Sequence, residues 1–359
     1  MELTPTTKPV REGEELPEEK LKQFLLEHEL IHSIKSDLKV HQFSNGYSNL
    51  TYLLEVEEKE LVLRRPPFSA PKRGHDMGRE YKVLHLLNPV FDKTPKVYAY
   101  TENKTILGAP FYIMSKIDGE IITAKTARQK AITPHDFKTI ANTWLDTFVA
   151  FHQIDYGAAG LADLGTPEGY VERQVTNWGT QYLAAATDDI PVAKKVMAWM
   201  QENQPKNYDH SLIHNDFKYD NVVFKDDSWV EISAILDWEM CTLGDPLMDL
   251  GTSLGYWITA NDPDIMKQGL PSPTVMEGNP SRTDIVQQYA LKSGRSIDNL
   301  IFYYVYGLFK IAVIAQQIYY RYKHGYTSDP KFAQLNKASE LCCTTAWQAI
   351  QKNQIDELY

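Results

Sequence analysis

The chain has 359 residues, 43% of them hydrophobic and 11% aromatic, enough to bury a full core and to form two lobes rather than one. A formal net charge of -10 argues against a general nucleic-acid binder or a protein of anionic membrane surfaces, and leaves room only for a local basic cleft. The three cysteines, Cys241 and the adjacent Cys342 and Cys343, offer neither a disulfide framework nor a C-x-x-C metal site and read as buried thiols.

Residues 1–16 are acidic and dotted with proline, which suits a flexible tail, and they carry no charged-then-apolar leader, so a cytoplasmic location is expected. Leu21, Phe24, Leu25 and His28 then follow helical spacing. His28-Glu29-Leu30-Ile31-His32 on this helix matches H-E-x-x-H, in which two histidines one turn apart hold Zn²⁺ and the glutamate activates water. Only 27 residues precede it, too few for the sheet that flanks such a site, and no third ligand is evident. An amphipathic entry helix is the simpler reading.

From Val40 the period changes to two. Val40–Phe43, Leu50–Val56 and Leu61–Arg64 read as successive antiparallel strands, Arg79–Leu87 as a helix, and Lys96–Thr101 and Pro110–Met114 as further strands. The loop Ser44-Asn45-Gly46-Tyr47-Ser48-Asn49 could cover phosphates with its backbone N–H groups, or be an ordinary hairpin. After Asp118-Gly119 helical patterns dominate. Thr133-Pro134-His135-Asp136 is a helix start with an N-cap threonine, proline at the first position and an acid in the first turn.

His214-Asn215-Asp216-Phe217-Lys218-Tyr219-Asp220-Asn221 is followed by two β-branched runs, Val222–Phe224 and Val230–Leu236, and then Asp237. A kinase catalytic loop sets a base Asp five residues before an Asn that holds Mg²⁺, and a second metal-binding Asp follows on the next hairpin. Asp216, Asn221 and Asp237 have that order: Asp216 to accept or orient a hydroxyl proton, Asn221 and Asp237 to hold Mg²⁺, and His214 to brace the loop. The plainer alternative is that Asp216 and Asn221 cap turns. Arg64 on the third strand and Glu80 on the helix after it fit a cation that contacts phosphates and the acid that fixes it. No G-x-x-x-x-G-K-[ST] is present, which excludes a P-loop enzyme.

Gly251-Thr252-Ser253-Leu254-Gly255 matches the G-x-S-x-G elbow of serine hydrolases, but the preceding Gly244–Leu250 carries proline and two acids and reads as a turn entering a helix, so close helix packing explains the small residues. Ile301–Tyr320 is long enough to cross a bilayer. Lys310 at its middle would cost roughly 2.5–3.5 kcal/mol in lipid, and with its glutamines and tyrosines this argues for a core helix and no membrane span.

Taken together these residues resemble the aminoglycoside phosphotransferase and choline kinase-like superfamily from about Val40 to Tyr326. Its H-G-D-x-x-x-x-N is matched by His214 to Asn221, its I-D-W-E by Leu236-Asp237-Trp238-Glu239, and its G-D-P-x-x-D-L by Gly244 to Leu250. Leu63-Arg64-Arg65-Pro66-Pro67, Gly169 to Val175 with Trp178, and Tyr304 through Tyr322 are similar to the branch also found fused to acyl-CoA dehydrogenases. The resemblance implies an α+β, two-lobed protein-kinase-like fold: a nucleotide-binding N-lobe over 17–114, a hinge over 115–119, and a mainly helical C-lobe over 120–359. It implies ATP and Mg²⁺ as cofactors and γ-phosphoryl transfer to the hydroxyl of a small molecule, for this branch a hydroxyacyl-CoA-like one. Alternatives are a catalytically silent nucleotide-binding protein and an aminoglycoside or amino-alcohol kinase.

By the same match, Asn45, Gly46 and Ser48 belong to the nucleotide loop, the Ser115 carbonyl and the Ile117 amide bond adenine, Asp249 ties down the catalytic loop, and Asp245 orders the intervening turn. Glu239, Tyr304, Lys310, Tyr320 and Arg321 are candidate substrate contacts. The cations and tyrosines among them suit an anionic or carbonyl-bearing acceptor, although a core helix with charged tips explains them equally. Two departures stand out: Asn215 replaces the family's glycine, and Arg64 its lysine. Nothing in the sequence sets an oligomeric state.

Overall fold

The computed structural model describes residues 7–43, 49–67, 76–327 and 329–359. It divides into two compact units, the first formed by 1–121, 159–161 and 221–241 and the second by the remainder.

In the first unit, β1 (Thr7–Pro9), α1 (Glu18–Glu27), β2 (Leu38–Phe43), β3 (Leu50–Val56), β4 (Lys59–Arg65), α2 (Met77–Leu87), β5 (Val97–Thr101), α3 (Lys104–Leu107) and β6 (Phe111–Ser115) follow in order. Six of these strands make one sheet in the order β1-β2-β3-β4-β6-β5, each neighbouring pair antiparallel. Period-two alternation sets its faces. Tyr52, Leu54 and Val56 of β3, Leu61 and Leu63 of β4, and Phe111 and Ile113 of β6 join Leu21, Phe24 and Leu25 of α1 in one core. Arg64 and Tyr112, paired in register, therefore point to the opposite face, where Glu80 of α2 meets them.

Two expectations are corrected in this unit. The segment expected to be a flexible tail places Thr7–Pro9 against His41–Phe43 as an edge strand, anchored by Arg11 N–H donating to Gln42 Oε1 at 3.1 Å. The H-E-x-x-H stretch is not helical, because α1 ends at Glu27 and Glu29 has φ 57°. His32 instead holds Glu57, whose carboxylate also accepts from Ser36 and the His32 amide, and these bonds lower its pKa to about 2. Among the described residues no cluster of three or more His, Cys, Asp or Glu forms a metal cage.

The chain continues through β7 (Glu120–Ile121), α4 (Ala124–Gln129), α5 (Pro134–His152), α6 (Tyr170–Ala185), α7 (Pro191–Glu202) and β8 (Ser211–Ile213). Helix α5 starts as its sequence demands: Thr133 and Asp136 form a reciprocal capping box, with Pro134 in the first turn. β9 (Val222–Phe224) and β10 (Ile232–Ile235) then form a hairpin that pairs with β7 and is grouped with the first unit, whereas the expected boundary left it in the C-lobe. β11 (Thr242–Gly244) pairs with β8, and α8 (Pro246–Tyr256), α9 (Asp264–Gly269), α10 (Arg282–Ser293), α11 (Leu300–Lys323) and α12 (Leu335–Lys352) complete the second unit.

Helix α11 is long and apolar enough to cross a membrane, yet 78% of its most apolar stretch is buried inside the protein, packed by α8 and α12. Contact with α8 is backbone to backbone: a Cβ on Gly251 would lie 2.1 Å from the Tyr303 carbonyl oxygen, and one on Gly307 2.0 Å from that of Gly251. The G-x-S-x-G match is thus a packing stripe inside a helix, and Ser253 Oγ donates to the Phe217 carbonyl at 2.7 Å. All three cysteines are free and buried.

Candidate active site

Asn221 and Asp237 sit at the open end of the β9–β10 hairpin. Val222 pairs with Ile235, and the next rung closes through Leu236 N–H donating to the Asn221 carbonyl at 2.8 Å, so the two side chains leave the same end of one rigid ribbon. Asp237 has φ 67°, a left-handed turn that a short polar residue tolerates.

Arg64 gathers the charged groups of the first unit. Its guanidinium donates to Asp237 Oδ1 and lies 3.6 Å from Glu239 Oε2, while its Nε forms an ion pair with Glu80 Oε2 at 3.2 Å that misses hydrogen-bond geometry. Glu80 also accepts from the Tyr112 hydroxyl and the Trp238 amide, tying β4, β6 and the turn after the hairpin together. Burial works against the Arg64 charge, but Glu80, Asp237 and Glu239 outweigh it and push its pKa up. Burial pushes the Glu80 carboxyl up against the pull of Arg64. Three carboxylates around one guanidinium carry -3 + 1, a net charge of -2. Asp237 is one-third exposed. A hard oxygen donor from Asn221 beside an accessible carboxylate, in a pocket of surplus negative charge, is a donor set that fits Mg²⁺, which takes one or two carboxylates and leaves its remaining positions to phosphate and water.

Other predicted residues of this unit have different surroundings. Ser115 N–H donates to the Lys96 carbonyl at 2.8 Å and its Oγ accepts from Lys96 N–H at 3.0 Å, and Ile117 follows just past the end of β6. Glu239, a candidate substrate contact, belongs to the Arg64 cluster and accepts from Asn49 Nδ2 at 2.7 Å. Asn45, Gly46 and Ser48 lie outside the described residues.

The second unit holds residues 214–220 of the expected catalytic loop, which leaves β8 at Ile213. Asp249 on α8 accepts from the amides of His214 at 2.6 Å and Asn215 at 2.7 Å, and its Oδ2 lies 3.2 Å from His152 Nε2. Burial favours the neutral acid, but the His152 contact and His214, through its ring and its amide, outweigh it and hold the Asp249 pKa down. Asn215 has φ 67°, which explains glycine at this position in the family and why asparagine, the side chain most tolerant of that region, replaces it. His214 is fully buried and its Nδ1 accepts from the Asp216 amide at 3.3 Å. Asp245 caps α8 through Leu247 N–H at 2.8 Å; burial raises its pKa to about 7.

Sequence reasoning missed three groups here. Lys218 Nζ reaches both Asp216 oxygens, at 3.1 and 2.9 Å, and stacks over the Tyr256 ring at 4.7 Å. Burial opposes its charge, but Asp216 and Tyr256 outweigh it and its pKa rises. Its only sequence signal was its place two residues after Asp216. His152 is set between Asp249 and the Tyr289 hydroxyl at 2.7 Å, partners far away in the sequence that gave it no signal there. Burial lowers its pKa, so the neutral imidazole donates from Nε2 to Asp249 and accepts at Nδ1 from Tyr289. Trp144, Phe217, Lys218, Tyr219, Tyr256 and Trp257 line a cavity beside the loop, together with Leu270 and Pro271.

Two of the four α11 substrate candidates, Tyr304 and Lys310, are corrected by their burial. Tyr304 is fully buried with Arg282 over its ring at 5.4 Å, and is core. Lys310 is buried too, and Nζ donates to the Asn215 carbonyl at 2.6 Å. Tyr320 stacks on His324 at 4.1 Å and, with the exposed Arg321, lies about 15 Å further along the helix than Lys310. That end of α11 pairs with the turn after α6, where Lys323 meets Asp188 at 3.0 Å.

Comparison with known proteins agrees with this geometry. Residues 39–270 match the model of the phosphotransferase enzyme family. Acyl-CoA dehydrogenase family member 10 of Mus musculus is 30% identical over 351 residues, which are 97% of this chain and 32% of that protein, so the chain spans about a third of its relative's length. A crystal structure assigned as an aminoglycoside phosphotransferase, from Ralstonia eutropha, superimposes with a TM-score of 0.79 at 27% identity over 94% of this chain and 99% of that one. The ethanolamine kinase of Plasmodium vivax shares the fold, with a TM-score of 0.61 at 12% identity over 93% of this chain and 88% of that one. The chain belongs to the phosphotransferase enzyme family.

Proposed function

We propose that the chain transfers the γ-phosphoryl group of ATP, with Mg²⁺, to the hydroxyl of a hydroxylated acyl-CoA-like molecule. The observation that carries the nucleotide half is the Arg64 cluster. A strand cation held by a helical glutamate and touching a metal-site aspartate is the arrangement that positions phosphates in kinases. Asn221 and Asp237 would hold the Mg²⁺, which supplies positive charge to the phosphate oxygens when bound.

Asp216 takes or orients the acceptor proton. Lys218, held to its carboxylate, keeps a positive charge beside the reacting hydroxyl and suits a developing anionic transition state. In the adjoining cavity six of the lining residues are aromatic or large and apolar, with Lys218 as the cation and Asp220 as the acid. Such walls favour an acyl-bearing or anionic acceptor over a polycationic aminoglycoside, which needs converging carboxylates.

The test is ADP release from MgATP in the presence of hydroxyacyl-CoAs, amino alcohols, sugars and aminoglycosides. A hydroxyacyl-CoA giving the highest kcat/KM supports the proposal. An aminoglycoside or amino alcohol in that place rejects the acceptor assignment.

A further inference from the structure

We propose that Lys310 is a positioning residue for the catalytic loop: its ammonium clamps the Asn215 carbonyl, fixes the peptide that precedes Asp216, and makes turnover depend on its own protonation. The inference rests on Asp216 being the group that handles the acceptor proton.

Lys310 lies at the middle of α11 and is 1% exposed. Nζ donates to the Asn215 carbonyl at 2.6 Å and approaches Asn215 Oδ1 at 3.3 Å, and it lies 5.8 Å from the centre of the Trp178 ring. Among the described residues it forms no direct ion pair with a carboxylate. A buried ammonium without one is costly, and methionine or leucine would fill the same space on a core helix. What the ammonium adds is a charge-assisted donor to one carbonyl.

That carbonyl belongs to a residue held from both sides. The Asn215 amide donates to Asp249 at 2.7 Å while its carbonyl accepts from Lys310, so α8 and α11 grip the two ends of a residue at φ 67°. The Tyr170 hydroxyl adds a bond to Asn215 Oδ1 at 3.3 Å. Rotation of the peptide between Asn215 and Asp216 would break the Lys310 bond and turn the Asp216 amide away from His214. A packing role asks only for volume; this arrangement asks for a donor.

The clamp can be titrated. Burial lowers the Lys310 pKa to about 8, with Asp216 and Asp249 pulling it up and Lys218 pushing it down. The charged groups that act on it are Asp216 and Lys218 on the loop and Asp249 on α8, and Tyr170 of α6 bonds the same Asn215 side chain. On α12, which packs along α11, the thiols Cys342 and Cys343 are kept neutral by burial. Above pH 8 the neutral amine binds the carbonyl more weakly, and the loop loses a restraint.

The experiment uses the full chain and measures MgATP hydrolysis, with water as acceptor, between pH 6.5 and 9.5 for wild type, Lys310→Arg and Lys310→Met. Hydrogen exchange at the Asn215 and Asp216 amides is read in the same three proteins without nucleotide. Wild-type kcat is expected to fall above about pH 8, Lys310→Arg to hold its activity to pH 9.5, and Lys310→Met to lose about tenfold in kcat at every pH with KM for MgATP within twofold. Lys310→Met is expected to exchange the loop amides faster. An alkaline limb unchanged in Lys310→Arg, or wild-type exchange in Lys310→Met, overturns the proposal. Faster exchange in Lys310→Met with no turnover in any of the three would keep the clamp and reject the reading of Asp216 on which it rests. Should Lys310→Met not fold, the Lys310→Arg limb against that of wild type decides alone.

Discussion

Arg64 on β4 donates its guanidinium to the carboxylate of Asp237, 173 residues further along the chain, and one side chain thereby links the sheet to the end of the β9–β10 hairpin. Replacing it with methionine leaves the buried Glu80 without its cation. Arg64→Met is expected to lower the unfolding free energy by about 3 kcal/mol in a denaturant titration, in the range for removing one partner of a buried ion pair. Arg64→Lys keeps the charge but loses the planar fork, and should raise KM for MgATP with a smaller effect on stability.

Asp249 serves two loop amides at once. Asp249→Ala strands both N–H groups in a buried site, and is expected to cost about 2–6 kcal/mol, at about 1–3 kcal/mol for each unsatisfied buried group. Its folded pKa is depressed, so its contribution is present above the ordinary carboxylate pKa of about 3.9 and is lost as pH falls through the folded value. Urea midpoints of wild type and Asp249→Ala should differ at pH 7 and converge in acid.

His152 gives a second pH dependence, in a higher window. Its folded pKa lies below the ordinary value of 6.5, so the unfolded chain binds more protons on the acid side of that value, and stability must fall as pH drops below 6.5. His152→Gln removes the titration. Thermal midpoints measured from pH 7.5 to 5 should decline more steeply for wild type than for the variant.

Gly251 is where two helices touch backbone to backbone. The methyl of Gly251→Ala would meet the Tyr303 carbonyl oxygen at 2.1 Å, so α8 and α11 must separate, at a cost of about 1–3 kcal/mol as for other overpacked positions. Because α8 carries Asp249 and α11 carries Lys310, kcat should fall together with the thermal midpoint.

The parts legible in the sequence were those in which function or backbone geometry dictates residue type at short range. Asp216, Asn221 and Asp237 stood out by spacing, Thr133 by its capping chemistry, and the sheet by its period of two. Lys310 was visible as an unusual charge but was assigned to substrate, because its partner is a backbone carbonyl 95 residues away and carbonyls carry no sequence signal. Tyr304 is core for a related reason: a helix apolar all round does not reveal which neighbours each side chain meets. The entry helix stops short of the H-E-x-x-H stretch: α1 ends at Glu27, and the left-handed backbone of Glu29 keeps the two histidines off one helical face. β1 was hidden because an edge strand of three residues among prolines and acids lacks any period.

Asp216→Asn tests the central claim most directly. In a MgATP-dependent phosphoryl-transfer assay with the best acceptor from the panel, kcat should fall by about 10²- to 10⁴-fold while the affinity for MgATP stays within about threefold of wild type. A variant that keeps kcat within a factor of two would remove Asp216 from the reaction and contradict the assignment of this loop as the catalytic one.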